Sequence, residues 1–113
     1  MEVQHWVEAR LCPRFKLDAN LKIHSGTELL SGYAVDISES GISAVLPIEV
    51  SMGEVVDLDF ELPLGPVSVR AVVRERNAFR YGFQFVQPNA AHQFIADACG
   101  SLPPCNSLFH LQE

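Results

Sequence analysis

The sequence predicts an all-β domain, a six-stranded antiparallel β-barrel followed by a C-terminal α-helix. Three observations favour this fold class. Apolar and polar residues alternate in several short runs, which is typical of strands with one buried face. Turn-forming residues separate these runs roughly every 8–12 residues. A chain of short antiparallel strands is best protected from aggregation when it closes into a barrel, because closure removes exposed sheet edges.

The first three strands are predicted from alternation and from the turns between them. Residues 15–24 alternate almost completely between apolar and polar side chains, which indicates a half-buried strand. In the second strand, the same period of two predicts that Tyr33, Val35 and Ile37 share one face. The third strand is predicted over residues 42–46 and ends before a proline.

The last three strands follow the same rule. The fourth strand has four apolar residues at every second position, which we expect to face the core: Val56, Leu58, Phe60 and Leu62. The fifth is predicted over residues 67–75, and a turn at Asn77-Ala78 leads into the sixth over residues 79–86. In the sixth strand the aromatic residues alternate with polar or small ones: Tyr81, Phe83 and Phe85.

A helix is predicted after the last strand, with Asn89 as its N-cap and Gly100 at its end. Its apolar stripe would plug one mouth of the barrel or dock on its side: Ala91, Phe94, Ile95 and Ala98. The chain then divides into an N-terminal segment (1–14), a barrel (15–88), and a helix with a tail (89–113). Because the N-terminal segment precedes the first strand, we expect it to be mobile without ligand.

Composition excludes several classes of protein. The net charge of −6 argues against coating of nucleic acid, which depends on clustered Lys and Arg. No apolar run reaches the ~20 residues that a membrane helix requires, so we expect no membrane insertion. The N-terminal residues do not look like a secretion signal, which favours the cytoplasm. The three cysteines have no Cys-x-x-Cys spacing, so we interpret them as free thiols and expect no metal site.

Two short motifs carry most of the functional information. The first is Arg10-Leu11-Cys12-Pro13-Arg14, and the second is Asp36-Ile37-Ser38-Glu39-Ser40-Gly41. Planar guanidinium groups match a phosphate or the O6/N7 edge of guanine with two hydrogen bonds. A carboxylate accepts from the N1–H and the N2 amino group on the opposite guanine edge. The two motifs are therefore complementary halves of a site for a guanine nucleotide.

The candidate ligand-binding residues are Arg10, Arg14, Asp36, Ser38 and Gly41. We expect Ser38 to bond the base or its phosphate, and Gly41 to adopt a positive φ in a turn whose N–H groups face the ligand. The alternative is a purely structural hairpin turn, in which Asp and Ser bond their own backbone. Both interpretations stay open, since a structural turn can also bind.

The pairing Arg-x-x-x-Arg with Asp-x-Ser-x-x-Gly, with alternating strands between, resembles the PilZ domain over residues 8–87. The closing run Tyr81-Gly82-Phe83-Gln84-Phe85-Val86 is similar to that family's last strand. The resemblance implies a non-catalytic cyclic di-GMP receptor, with the arginines folding over the ligand and no other cofactor. It also implies an effector protein bound in trans and control of motility, biofilm or exopolysaccharide. Ala9 stands where the family often has a basic residue, so one ligand or a stacked pair both stay open.

Other interpretations are weighed beside this one. The main rival is a ligand-independent PilZ-like adaptor, as in type IV pilus assembly, although such members usually lack the arginine pair. A hydrolase built on His24, Asp36 and Ser38 is disfavoured because no Gly-x-Ser-x-Gly motif is present. Three further arginines flank the last hairpin and add phosphate contacts or simply face solvent: Arg74, Arg76 and Arg80. The sequence is compatible with a monomer or a weak homodimer.

Overall fold

A computed structural model describes residues 13–105 of the chain. It contains six strands and one helix, and their bounds are β1 Phe15–Ser25, β2 Glu28–Ile37, β3 Gly41–Val45, β4 Val55–Leu62, β5 Gly65–Asn77, β6 Arg80–Phe85 and α1 His92–Cys99. The strands form a closed antiparallel barrel in the order β1-β2-β3-β6-β5-β4, with β4 pairing back to β1. The predicted fold class is therefore confirmed. Within residues 13–105, no helix has the length and apolar character needed to cross a membrane.

The barrel interior is filled by the alternating apolar positions of its strands. The alternation predicted for β4 and β6 is confirmed, because their inward residues are all at most 4% exposed: Val56, Leu58, Phe60, Leu62, Tyr81, Phe83 and Phe85. The Tyr81 hydroxyl accepts a hydrogen bond from the backbone N–H of Val50 at 3.2 Å, which ties the β3–β4 connection to the core. A buried phenol needs such a partner to avoid the cost of an unpaired polar group.

The prediction that Tyr33, Val35 and Ile37 share one face of β2 is wrong. Ile37 is fully buried, but Tyr33 is 45% exposed, and Ala34 takes the inward position. The reason is a β-bulge between Ala34 and Asp36, where β2 has one residue more than β3. An extra residue reverses the alternation on one side of the bulge.

The helix begins later than the sequence predicts. Asn89 is not its N-cap, because its side-chain amide donates to the carbonyl of Val86 at 2.9 Å and so serves the end of β6. Residues 89–91 form a turn, and α1 begins at His92 with Ala91 as an N-cap that supplies no side-chain hydrogen bond. The predicted end at Gly100 is confirmed.

The helix packs into the same apolar core as the strands. Ile95, Ala98 and Cys99 are buried in it, and Phe94 lies against Gly65 at the β4–β5 turn. After the helix, the chain returns to the start of β1. There Lys16 donates its backbone N–H to the Pro103 carbonyl at 2.7 Å, and Cys105 donates to the Arg14 carbonyl at 3.0 Å. This pairing fixes the backbone at Arg14.

Candidate functional site

The centre of the candidate site is the carboxylate of Asp36, near the end of β2. Arg14 donates its Nε and Nη2 to Oδ1 of Asp36 at 2.8 and 2.6 Å, and Arg80 donates its Nη2 to Oδ2 at 2.8 Å. The two guanidinium groups cover the carboxylate, whose side chain is only 11% exposed. Both oxygens of Asp36 are therefore occupied by arginine.

Strand register explains why these side chains meet. Asp36 lies opposite Lys16 on β1 and opposite Ser43 on β3, and Ser43 lies opposite Gly82 on β6. Bulges interrupt β1 beside Lys16 and β2 just before Asp36, and bulges commonly redirect side chains next to functional sites. Arg14 also donates to the Ser43 hydroxyl at 3.2 Å, so its guanidinium spans β2 and β3.

Ser38 is fully buried and serves the turn itself. Its hydroxyl oxygen accepts hydrogen bonds from the backbone N–H groups of Ser40 and Gly41, both at 3.2 Å. Its own N–H donates to the Gly41 carbonyl at 2.8 Å. The N–H groups expected to face a ligand are thus directed at Ser38, which corrects the prediction of a ligand-facing nest. The turn closes the β2–β3 hairpin and so fixes the position of Asp36.

Gly41 does not have the positive φ that we expected; among the described residues the glycines with positive φ are Gly26, Gly53 and Gly65. Glycine is required at position 41 for a different reason. A Cβ atom there would overlap the backbone carbonyl oxygen of Phe83 on the neighbouring β6. Gly41 therefore permits the close approach of β3 and β6.

Of the predicted site residues, the structure brings together Arg14 and Asp36 and places Ser38 and Gly41 directly behind them. Arg10 lies outside the described residues. Arg14 belongs to the segment expected to be mobile, yet it contacts the barrel through both its side chain and its backbone. The motif residues that are described thus form one continuous region at the β2–β3 turn.

The sequence left open whether Arg80 contacts a ligand or faces solvent, and it did not place Arg80 beside Asp36. The alternation of β6 puts Arg80 on the outer face with Gly82 and Gln84, because Tyr81, Phe83 and Phe85 point inward. That signal was available in the sequence. The missing information was the strand order. In the barrel, β3 lies between β2 and β6, and this order brings Arg80 on β6 close to Asp36 on β2.

The other two arginines of the hairpin have separate partners. Arg74 donates to the side-chain oxygen of Gln84 at 2.8 Å. Arg76 forms an ion pair with Glu49 at 2.6 Å and lies 5.7 Å from the ring centroid of Tyr81. Glu49 is 71% exposed, so water screens this pair and its contribution to stability is small.

An open pocket of about 480 Å³ adjoins the Asp36 centre. Its volume falls within the usual range for small-molecule sites. Ser43 and Arg80 connect it to Asp36, and the β5–β6 hairpin supplies the rest of the lining: Glu75, Arg76, Asn77, Tyr81 and Gly82. We refer to it as the hairpin pocket.

Two of the three cysteines that we interpreted as free thiols are described by the structure, and Cys12 lies outside the described residues. Burial raises the pKa of the Cys99 thiol to about 11, and burial also raises the pKa of Cys105. Both thiols are free, and neither is activated as a nucleophile. His24 lies 2.7 Å from Asp59 on β4, so it is engaged away from Asp36 and Ser38.

Comparison with known proteins agrees with the barrel fold. The family model of the PilZ domain matches residues 8–97. Among solved structures, the PilZ domain of YcgR from Escherichia coli with c-di-GMP has a TM-score of 0.70 at 15% identity, covering 82% of this chain and 90% of that one. The Bacillus subtilis inhibitor of motility MotI has a TM-score of 0.67 at 21% identity, covering 81% of this chain and 50% of that one.

A third solved structure, the PilZ domain of CeSA from a cellulose-synthesizing bacterium, has a TM-score of 0.60 at 17% identity, and the match covers 88% of this chain and 98% of that one. No curated protein matches the chain significantly. At these identities the solved structures establish the shared fold, while the family model spans most of the chain. The chain belongs to the PilZ domain family.

Proposed function

We propose that this chain is a receptor for cyclic di-GMP. The observation that carries the proposal is the carboxylate of Asp36 held between Arg14 and Arg80 on the outer surface of the barrel. A carboxylate and several arginines at one point supply partners for both edges of guanine and for phosphate. Family membership supports the same ligand, since a related PilZ domain has been solved with c-di-GMP.

In this proposal Asp36 accepts hydrogen bonds from N1–H and the N2 amino group of one guanine. Arg14, released from Asp36, contacts the O6/N7 edge or a phosphate, and Arg10, four residues earlier in the sequence, contributes a second guanidinium. Guanine is favoured over adenine because adenine lacks the N2 amino donor and presents a donor where guanine has O6. Ser38 and Gly41 hold the turn from behind rather than contacting the ligand through free N–H groups.

Arg14 also connects the ligand to the rest of the molecule. Its carbonyl accepts from Cys105, so a ligand that moves Arg14 acts on the segment that follows α1. We propose that this movement signals to an effector protein in trans, without catalysis by the chain itself. Control of motility is the output best supported, because MotI is an inhibitor of motility.

Calorimetric titration with cyclic di-GMP tests this function, with cyclic di-AMP and GMP as controls for the base and for the dinucleotide. We expect cyclic di-GMP to bind and to raise the melting temperature, because a ligand that binds only the folded state stabilises it. Cyclic di-AMP should bind at least tenfold more weakly, because each bidentate base contact contributes about 1–3 kcal/mol of discrimination against the wrong base. If high-micromolar cyclic di-GMP produces neither heat nor a shift in melting temperature, the ligand-independent adaptor is the better interpretation.

A further inference from the structure

Both carboxylate oxygens of Asp36 accept hydrogen bonds from arginine, so a ligand that binds Asp36 competes with these arginines. Arg14 holds Oδ1 and Arg80 holds Oδ2. The two guanidinium groups leave the Asp36 side chain only 11% exposed, so a guanine that donates two hydrogen bonds to the carboxylate has to displace at least one of them. A displaced guanidinium that found no new partner would lose a charge-assisted hydrogen bond, which weakens binding.

Arg80 is well placed to find a new partner. Its side chain is 57% exposed, compared with 36% for Arg14, and it lines the hairpin pocket. Arg80 is the first residue of β6, directly after the β5–β6 turn, and it lies opposite Val45 on β3. A rotation of this long side chain away from Asp36 therefore keeps the guanidinium within the same groove.

The hairpin pocket has the chemistry of an anion site. It contains two cationic side chains, Arg76 and Arg80, and one carboxylate, Glu75. Polar groups of Ser43 and Asn77 add hydrogen-bonding capacity without charge. The carboxylate that pairs with Arg76 belongs to the exposed residue Glu49, so a ligand anion can replace it at little cost.

We propose that Arg80 is a third arginine of the ligand site, which exchanges its contact with Asp36 for a contact with a phosphate group seated in the hairpin pocket. Arg76 is the second cation of this phosphate subsite. The inference rests on the proposed function and extends it. In the exchange, each charged group keeps a partner: Asp36 passes from arginine to guanine, and Arg80 passes from Asp36 to phosphate.

Two other roles for Arg80 predict different results in a binding experiment. If Arg80 only competed with guanine for Asp36, its removal would strengthen ligand binding. If it only held Asp36 in place, Arg80→Ala would weaken binding but would leave the salt dependence of binding equal to that of wild type. The phosphate role instead predicts weaker binding after Arg80→Ala and a reduced dependence on salt, because a screened charge contact has been lost.

The test is calorimetric titration of the full chain with cyclic di-GMP at low and high salt, for wild type, Arg80→Ala, Arg80→Lys and Arg76→Ala. We expect Arg80→Ala to lose about tenfold in affinity, with Arg80→Lys intermediate because it keeps the charge but not the planar fork. Arg76→Ala should lose less, because its guanidinium is shared with Glu49. The matched control is Arg70→Ala on β5, whose partner Asp57 lies on β4 and outside this region.

Melting temperatures of the variants serve as the folding check. Unchanged or tighter binding by Arg80→Ala, with wild type binding normally, overturns the phosphate subsite and leaves the proposed function intact. Weaker binding by Arg80→Ala with the same salt dependence as wild type also overturns it. If wild type itself does not bind cyclic di-GMP, the proposed function fails and this inference fails with it.

Discussion

Arg14 donates from both Nε and Nη2 to one oxygen of Asp36, at 2.8 and 2.6 Å. Because Arg14 directly precedes β1, this contact joins the start of β1 to the end of β2. The Asp36 side chain is nearly covered, at 11% exposed, whereas the Arg14 side chain remains 36% exposed. A ligand can therefore reach Arg14 before it reaches Asp36. The ion pair holds Arg14 against the barrel, and a nucleotide that binds both side chains would have to break it.

Removal of either partner should weaken binding of cyclic di-GMP. We expect Arg14→Ala and Asp36→Asn each to reduce affinity about ten- to a hundredfold, because each removes a bidentate contact. Asn keeps the shape of Asp36 but loses its charge and one acceptor. Titration calorimetry gives the affinity of each variant.

The control for this pair is the exposed ion pair of Arg70 and Asp57, which joins β5 to β4. Arg70→Ala and Asp57→Asn should bind as wild type does. Wild-type affinity in Arg14→Ala or in Asp36→Asn would remove that residue from the site.

Ser38→Ala should destabilise the fold as well as weaken binding. The substitution leaves the N–H groups of Ser40 and Gly41 without the hydroxyl oxygen that accepts from them. Leaving buried donors unpaired costs about 1–3 kcal/mol. Denaturant unfolding measures this loss, with Ser31→Ala on the exposed face of β2 as the control. A variant with full stability and weak binding would instead indicate a direct contact between Ser38 and the ligand.

Much of the fold follows from local patterns in the sequence. Alternation located the strands because one face of each packs into a common core. The exceptions are positions where tertiary contacts override the local pattern. The bulge before Asp36 exposes Tyr33, and the bond from Asn89 to Val86 delays the helix. Neither the bulge nor that bond has a signal in the spacing of apolar residues.

The candidate site also contains residues that the sequence could predict and residues that it could not. Arg14 and Asp36 were predictable because their chemistry is complementary to guanine and phosphate. Arg80 was not, because its place beside Asp36 depends on β6 lying next to β3. The role of Gly41 depends on the same neighbour, since the atom that excludes a side chain belongs to Phe83. Residues whose function depends on strand order need the structure.

Gly41→Ala should destabilise the barrel by about 1–3 kcal/mol, the usual cost of overpacking. The added methyl group would meet a backbone carbonyl, which cannot rotate away as a flexible side chain would. Gly100→Ala is a matched control, because its φ of −64° suits any residue and its new Cβ would lie 3.4 Å from the nearest atom. Denaturant midpoints should fall for the first variant and stay level or rise for the second. Equal stability of the two variants would show that β3 and β6 can separate at little cost.

Stability should depend on pH in part through Asp59, on the outer face of β4. The hydroxyl of Ser68 donates to this carboxylate at 2.5 Å, and this bond, with His24 adding to it, holds the pKa of Asp59 below its usual value of 3.8. Because the folded state favours the ionised form, the stabilisation is present above the unfolded pKa and is lost as pH falls through the folded pKa.

The difference in unfolding free energy between wild type and Asp59→Asn should thus be largest near neutral pH and shrink below about pH 4. Glu61→Gln is the control on the same strand, since the Glu61 side chain is exposed and makes no hydrogen bond or ion pair within residues 13–105. Urea unfolding at pH 6 and pH 3 measures both differences, and an Asp59→Asn difference that stays constant across this interval would show that the bond from Ser68 does not favour the carboxylate.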